Sequence, residues 1–95
     1  MPALWIAHVT VTDEEAYKKY AAGATVAIAD HGGTFIARGG RFVQLEGKER
    51  PRNVVARFAD VETAERCYHS PAYQAALEFA KGASERELMI IETTE

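Results

Sequence analysis

The spacing of apolar and polar positions predicts strands and helices in alternation along the whole chain. Residues 4–11, Leu-Trp-Ile-Ala-His-Val-Thr-Val, are dense in β-formers and predict a first strand. Thr12-Asp13-Glu14-Glu15 has the form of a capping box, with Thr12 as N-cap and Glu15 reaching back. Tyr17, Tyr20, Ala21, Ala24, Ile28 and His31 then recur at helical spacing, so a helix is expected over 13–31, stopped by Gly32-Gly33. Residues 34–38 predict a second strand, interrupted by Gly39-Gly40 and resumed over 41–46. Residues 53–59 predict a third. Asp60 is an N-cap candidate for a helix over 61–69. Ser70-Pro71 restarts a helix with Tyr73, Leu77 and Ala80 as its stripe, and Gly82 ends it. Residues 86–93 predict the last strand. The order β-α-β-β-α-β predicts an α+β fold: one ferredoxin-like domain over 1–95, an antiparallel sheet with its helices on one face.

That architecture leaves a second sheet face to account for. Successive strand residues point to opposite faces, so Trp5, Ala7, Val9 and Val11 share one side and Leu4, Ile6, His8 and Thr10 the other. The same count separates Phe35 and Ala37 from Thr34, Ile36 and Arg38. It separates Val54, Ala56 and Phe58 from Val55 and Arg57, and Met89 and Ile91 from Leu88, Ile90 and Glu92. The first set is almost wholly apolar and is expected beneath the helices. The second mixes Leu4, Ile6, Ile36, Val55, Leu88 and Ile90 with His8, Thr10, Arg38 and Arg57. Such a face is too apolar for water and too polar for an ordinary core. A half-buried cavity shared with a second subunit reconciles the two.

Composition narrows the classes. A chain of 95 residues, 47% hydrophobic and 26% charged with 3 Pro and 7 Gly, reads as globular. A chain this short buries only about 64% of its unfolded surface, a thin core that pairing would supplement. No apolar run is long enough to span a membrane. The opening residues lack the basic region of a signal peptide. A net charge of −3 argues against a nucleic-acid binder, and the single Cys67 fits a reducing cytoplasm.

Four blocks carry a family resemblance. They are residues 5–13 with Tyr17 and Tyr20; residues 32–40, Gly-Gly-Thr-Phe-Ile-Ala-Arg-Gly-Gly; Leu45-Glu46-Gly47; and Ser70-Pro71-Ala72-Tyr73-Gln74. The chain resembles a small uncharacterised family of the dimeric α/β-barrel superfamily. The resemblance implies a ferredoxin-like homodimer whose sheets face each other as a barrel. That superfamily includes cofactor-free quinone-forming monooxygenases, lactone isomerases, haem-dependent peroxidases and stress-responsive domains. The family brings no agreed reaction, so no catalytic residue carries over.

Candidate chemistry sits on the mixed face. His8 is either a general base or haem ligand, or else a hydrogen-bonded interface histidine. Arg38 and Arg57 either clamp an anion together or pair with glutamates such as Glu46 and Glu92. Gly39-Gly40 is either a bend or a cavity mouth whose amides face a ligand. Between 38 and 57, Arg38, Arg41, Lys48, Arg50, Arg52 and Arg57 outnumber Glu46 and Glu49. Lys48, Arg50 and Arg52 read as a solvated hairpin, and no aromatic interleaves to stack bases. Cys67 reads as a small buried residue, His69 as a helix-end cation and Ser70 as a cap. His8, His31 and His69 have no metal-ligand spacing. Tyr17, Tyr20, Tyr68 and Tyr73 read as packing.

The leading expectation is a cytoplasmic homodimer that binds a small anionic or oxygenated metabolite on its sheet face. Arg38, Arg57, Gly39 and Gly40 hold the ligand and His8 moves a proton, without a cofactor or metal. The alternatives are a non-catalytic dimerisation or regulatory module and a haem-binding barrel.

Overall fold

Strand β1 (Ala3–Val11) is central because it can pair on both edges and bury one full face. The computed structural model describes all 95 residues. The remaining elements are α1 (Glu14–Asp30), β2 (Thr34–Arg38), β3 (Arg52–Phe58), α2 (Val61–His69), α3 (Pro71–Ala80) and β4 (Ser84–Glu92). The four strands form one antiparallel sheet in the order β2-β3-β1-β4. The expected ferredoxin-like α+β fold is therefore present, with its second helix broken at Ser70. Two layers make a slab of 35 × 34 × 17 Å. No helix is long and apolar enough to cross a membrane.

Local chemistry sets most boundaries. Asp60 accepts from the Thr63 amide at 2.7 Å, and Ser70 from the Tyr73 amide at 3.2 Å, each opening a helix as its sequence predicts. The first cap differs. Asp13, not Thr12, is extended and accepts from the Ala16 amide, because the Thr12 and Asp13 amides are both tied to the Ala83 carbonyl. Helix α1 approaches α3 closely at Gly23, where an added Cβ would lie 2.8 Å from that of Ala76. Only a residue without a side chain fits that crossing.

The core lies between the sheet and the helices. Nine of its 17 buried residues are alanine, so a few large side chains supply most of the buried area: Trp5, Phe58 and Tyr73 above all. Trp5 meets Tyr73 edge-on at 5.1 Å and Phe58 at 5.7 Å.

Cys67 belongs to this core, fully buried as expected. Burial pushes its thiol from near 9 up to about 11. A raised folded value means the unfolded chain loses that proton first as pH rises. Stability is thus full below about pH 9 and falls through the interval to about pH 11, by up to about 3 kcal/mol. Urea unfolding at pH 8 and 10.5 should show the loss, and Cys67→Ala should reduce it.

Side-chain facing departs from expectation in two strands. In β2, Phe35 faces Ala56 but Ala37 faces Val55, leaving Ile36 as an unpaired extra residue. This bulge reverses the parity beyond it. Ala37 turns to the open face and Arg38 to the helix face, the opposite of expectation. In β4, Ala7 pairs with Leu88 and Ile6 with Met89. Leu88 and Ile90 therefore face the helices, whereas Met89 and Ile91 lie on the open face, again reversing the expected sides. The continuous apolar run 88–91 carries no alternation to read.

The expected strand over 41–46 does not form. No backbone amide of residues 40–51 bonds to another backbone group of the chain. This long connection between β2 and β3 is irregular, with Val43 70% and Leu45 86% exposed.

Candidate functional site

Three strands end together at one end of the sheet, and each brings an arginine to the helix face. Val9 in β1 pairs with Arg52 on one side and Arg86 on the other. Arg38 pairs with Val54 one row away, turned inward by the bulge. Helix α1 passes above them with Tyr17, Tyr20 and Thr25. Between lies a cavity also lined by Trp5 and Phe35. The recess spans about 400 Å³ with its mouth, of which about 30 Å³ can hold solvent, room for a water or two.

Each guanidinium has a defined setting. Arg38 lies 4.2 Å over the Phe35 ring and donates to Thr25 Oγ1 at 2.7 Å. Arg52 lies 5.3 Å from the Tyr17 ring centre. Arg86 lies 4.5 Å from that of Tyr20 and donates to Tyr20 Oη at 2.6 Å and Tyr73 Oη at 3.2 Å. The ion pairs of the protein all involve other cations: Lys18, Arg50, Arg57 and Lys81. No carboxylate lines the cavity. Aromatic faces offset part of this charge, each by about 0.5–2 kcal/mol, but supply no acceptor in the plane of a guanidinium.

The hydrogen-bond inventory has a surplus of donors. Tyr20 and Tyr73 share one hydrogen bond of 2.7 Å. That uses one of their two hydroxyl protons and leaves the other without an acceptor. Arg86 Nε is buried and also unpartnered. Burial pushes the Tyr20 hydroxyl far up; the neighbouring Tyr73 adds to this and the Arg86 charge works against it. Burial also raises Tyr73. Both phenols therefore remain protonated donors at neutral pH. With neither carboxylate nor imidazole in its lining, the cavity can stabilise negative charge but offers no conventional base.

The expected site residues are not brought together. His8 lies on the open face, exposed, with Nδ1 2.6 Å from Asn53 Oδ1. Asn53 Nδ2 donates to the Arg50 carbonyl, which fixes the amide orientation and makes His8 Nδ1 the donor. Arg57 is also on the open face and donates to Glu95 at 2.9 Å. Arg38 is on the opposite face, so the two arginines cannot clamp one ligand. Gly39 and Gly40 are exposed, with open space around them, and do not line the cavity. The solvated reading fails for Arg50 and Arg52. Arg50 is held by Glu87 at 2.8 Å, Thr10 at 3.0 Å and Glu85 at 3.2 Å, and Arg52 lines the cavity. Sequence reasoning missed Arg86, Arg52 and the hydroxyls of Tyr20 and Tyr73. The available signal was Arg86 itself, a charge two residues before Leu88 on the helix-facing parity.

Residues 2–94 match one family model, described as a domain of unknown function (DUF1330). No curated protein matches the chain. Several solved structures share the fold. A protein of unknown function from Rhodopseudomonas palustris superposes with TM-score 0.81 at 17% identity, covering 99% of this chain and 83% of that one. A dimeric ferredoxin-like protein of unknown function from Jannaschia sp. CCS1 gives 0.72 at 14%, covering 98% and 100%. SnoaB, a cofactor-independent oxygenase from Streptomyces nogalater, gives 0.70 at 14%, covering 99% and 94%.

Proposed function

Because the chain belongs to the DUF1330 family, whose description assigns no reaction, its function has to be argued from the cavity, and we propose that it binds a small oxygenated anion between α1 and the sheet. The observation that carries this reading is the donor surplus: Arg38, Arg52 and Arg86 without a carboxylate, an unpartnered Arg86 Nε and one idle hydroxyl proton. Arg86 and Arg52 are half-buried, and the buried Arg86 Nε lacks an acceptor that a carboxylate, enolate or phenolate oxygen would supply. The ligand must arrive ionised or ionise into solvent, since no base lines the cavity. Acidic enols, phenols and carboxylic acids meet that condition. Oxygenation through an electron-rich anion is the reaction class this arrangement would assist. The fold shared with the Streptomyces nogalater oxygenase supports that class.

The same reading includes a homodimer. Leu4, Ile6, Val55, Met89 and Ile91 form an apolar open face that no helix covers, and the similar Jannaschia protein is dimeric. A 35 × 34 Å face is large enough for the roughly 800 Å² per partner of a standard interface.

Trp5 is the sole tryptophan and lines the cavity, so it reports on occupancy. Titration with salicylate, its carboxylate entering the recess and its ring remaining in the mouth, should change its emission and raise the melting temperature, whereas neutral salicylamide should do neither. Equal responses to both, or no response to salicylate, benzoate or acetylacetonate, would refute an anion site.

A further inference from the structure

The connection between β2 and β3 has the properties of a binding arm. Residues 40–51 contribute no amide to the backbone hydrogen-bond network of their own chain. Phe42, Val43 and Leu45 are β-formers or apolar, and all three are exposed. A solvated loop has little reason to carry three large apolar side chains within four positions.

The arm is nonetheless anchored at its root. Arg50 reaches Thr10, Glu85 and Glu87, all on the open-face side of β1 and β4. Asn53 takes the Arg50 carbonyl and is itself bonded to His8. Gly39 at the other end donates to the Asn53 carbonyl. Both ends are thus tied to one end of the sheet, with the Arg50 end on its open-face side. An arm held at both ends loses less conformational freedom on docking.

We infer that residues 41–46 form an arm that grips a second copy of this chain, extending the contact made by the open sheet faces. The inference rests on the homodimer proposed above. A second copy satisfies both needs at once, because it presents an apolar open face and free strand edges at β2 and β4 to the same end. A two-fold assembly also doubles the contact, since each arm reaches the other copy.

Three proteins test this by sedimentation velocity over a concentration series: the wild type, Val43→Glu/Leu45→Glu, and Met89→Glu on the open face. Circular dichroism checks that each is folded, which the irregular arm makes undemanding for the double variant. The expected result is a wild-type dimer whose dissociation constant rises at least about 30-fold in both variants. Dissociation by Met89→Glu alone would overturn the arm and leave the homodimer standing. A wild type that stays monomeric would overturn both, and a dimer indifferent to both variants would overturn the arm and the open-face contact it extends.

Discussion

Replacing Arg86 by methionine should weaken anion binding about 100-fold while leaving the protein about as stable as before. Methionine keeps the length of the stem and its packing against Tyr20 but removes every donor. The charge it deletes has no carboxylate partner, and the Nε it deletes is a buried donor without an acceptor. Such an orphan costs about 1–3 kcal/mol in the unliganded protein. Its removal offsets the lost contacts with the two hydroxyls and the Tyr20 ring. The urea midpoint should therefore correspond to a stability within about 1 kcal/mol of wild type. Salicylate affinity, followed by Trp5 emission, should fall about 100-fold, the equivalent of nearly ~3 kcal/mol. A purely structural Arg86 would give the reverse pattern, a destabilised protein with unchanged affinity. The asymmetry between stability and binding is what separates a group held ready for a ligand from one that merely fills space.

Trp5→Ala should come close to unfolding the protein. The side chain is buried at the centre of the helix-facing sheet surface, against Phe58, Tyr68 and Tyr73. Truncating an aromatic residue in such a place costs about 3–5 kcal/mol. A chain of this length has a total stability of about 5–14 kcal/mol. The surroundings have little capacity to relax, because the adjacent buried positions Ala7 and Ala56 are small and fixed in strands. Circular dichroism must follow the urea transition, since the variant has no tryptophan. The midpoint should fall by about a third or more. A loss under about 1 kcal/mol would mean that the alanine-rich core collapses around the gap.

Much of the fold was legible because it is written in short-range chemistry. Asp60 and Ser70 mark element ends through bonds to residues at most four positions away, and Gly82 through its positive φ of 76°, all of which a linear reading can find. The site was not legible because it is made by topology. Arg38, Arg52 and Arg86 lie on three strands and meet only because β2, β3 and β4 share an end of the sheet. Two local ambiguities then hid their facing. Either side of β2 tolerates Ile36 and Ala37, so nothing in the composition announces the extra residue. The run Leu88-Met89-Ile90-Ile91 is apolar at every position, so its parity is set by pairing with β1 rather than by pattern. His8 lies outside the arginine cavity for a related reason. Its mixed surroundings on the open face resemble a site when only one chain is considered, and they resemble a subunit contact once the helices are placed on the other side.

The bulge at Ile36 has a consequence for how such a chain can change over generations. Moving a cation from one side of a sheet to the other by substitution takes two exchanges at neighbouring positions, with an intermediate that has either two charges or none. One inserted codon does it in a single step, because every side chain between the insertion and the strand's end changes address together. β2 is an outer strand, where an extra residue disturbs one ladder instead of two. Its end is also short, so only Ala37 and Arg38 are re-addressed. Insertions and deletions at that edge are therefore an economical route by which relatives with the same core could gain or lose a charged group in the cavity.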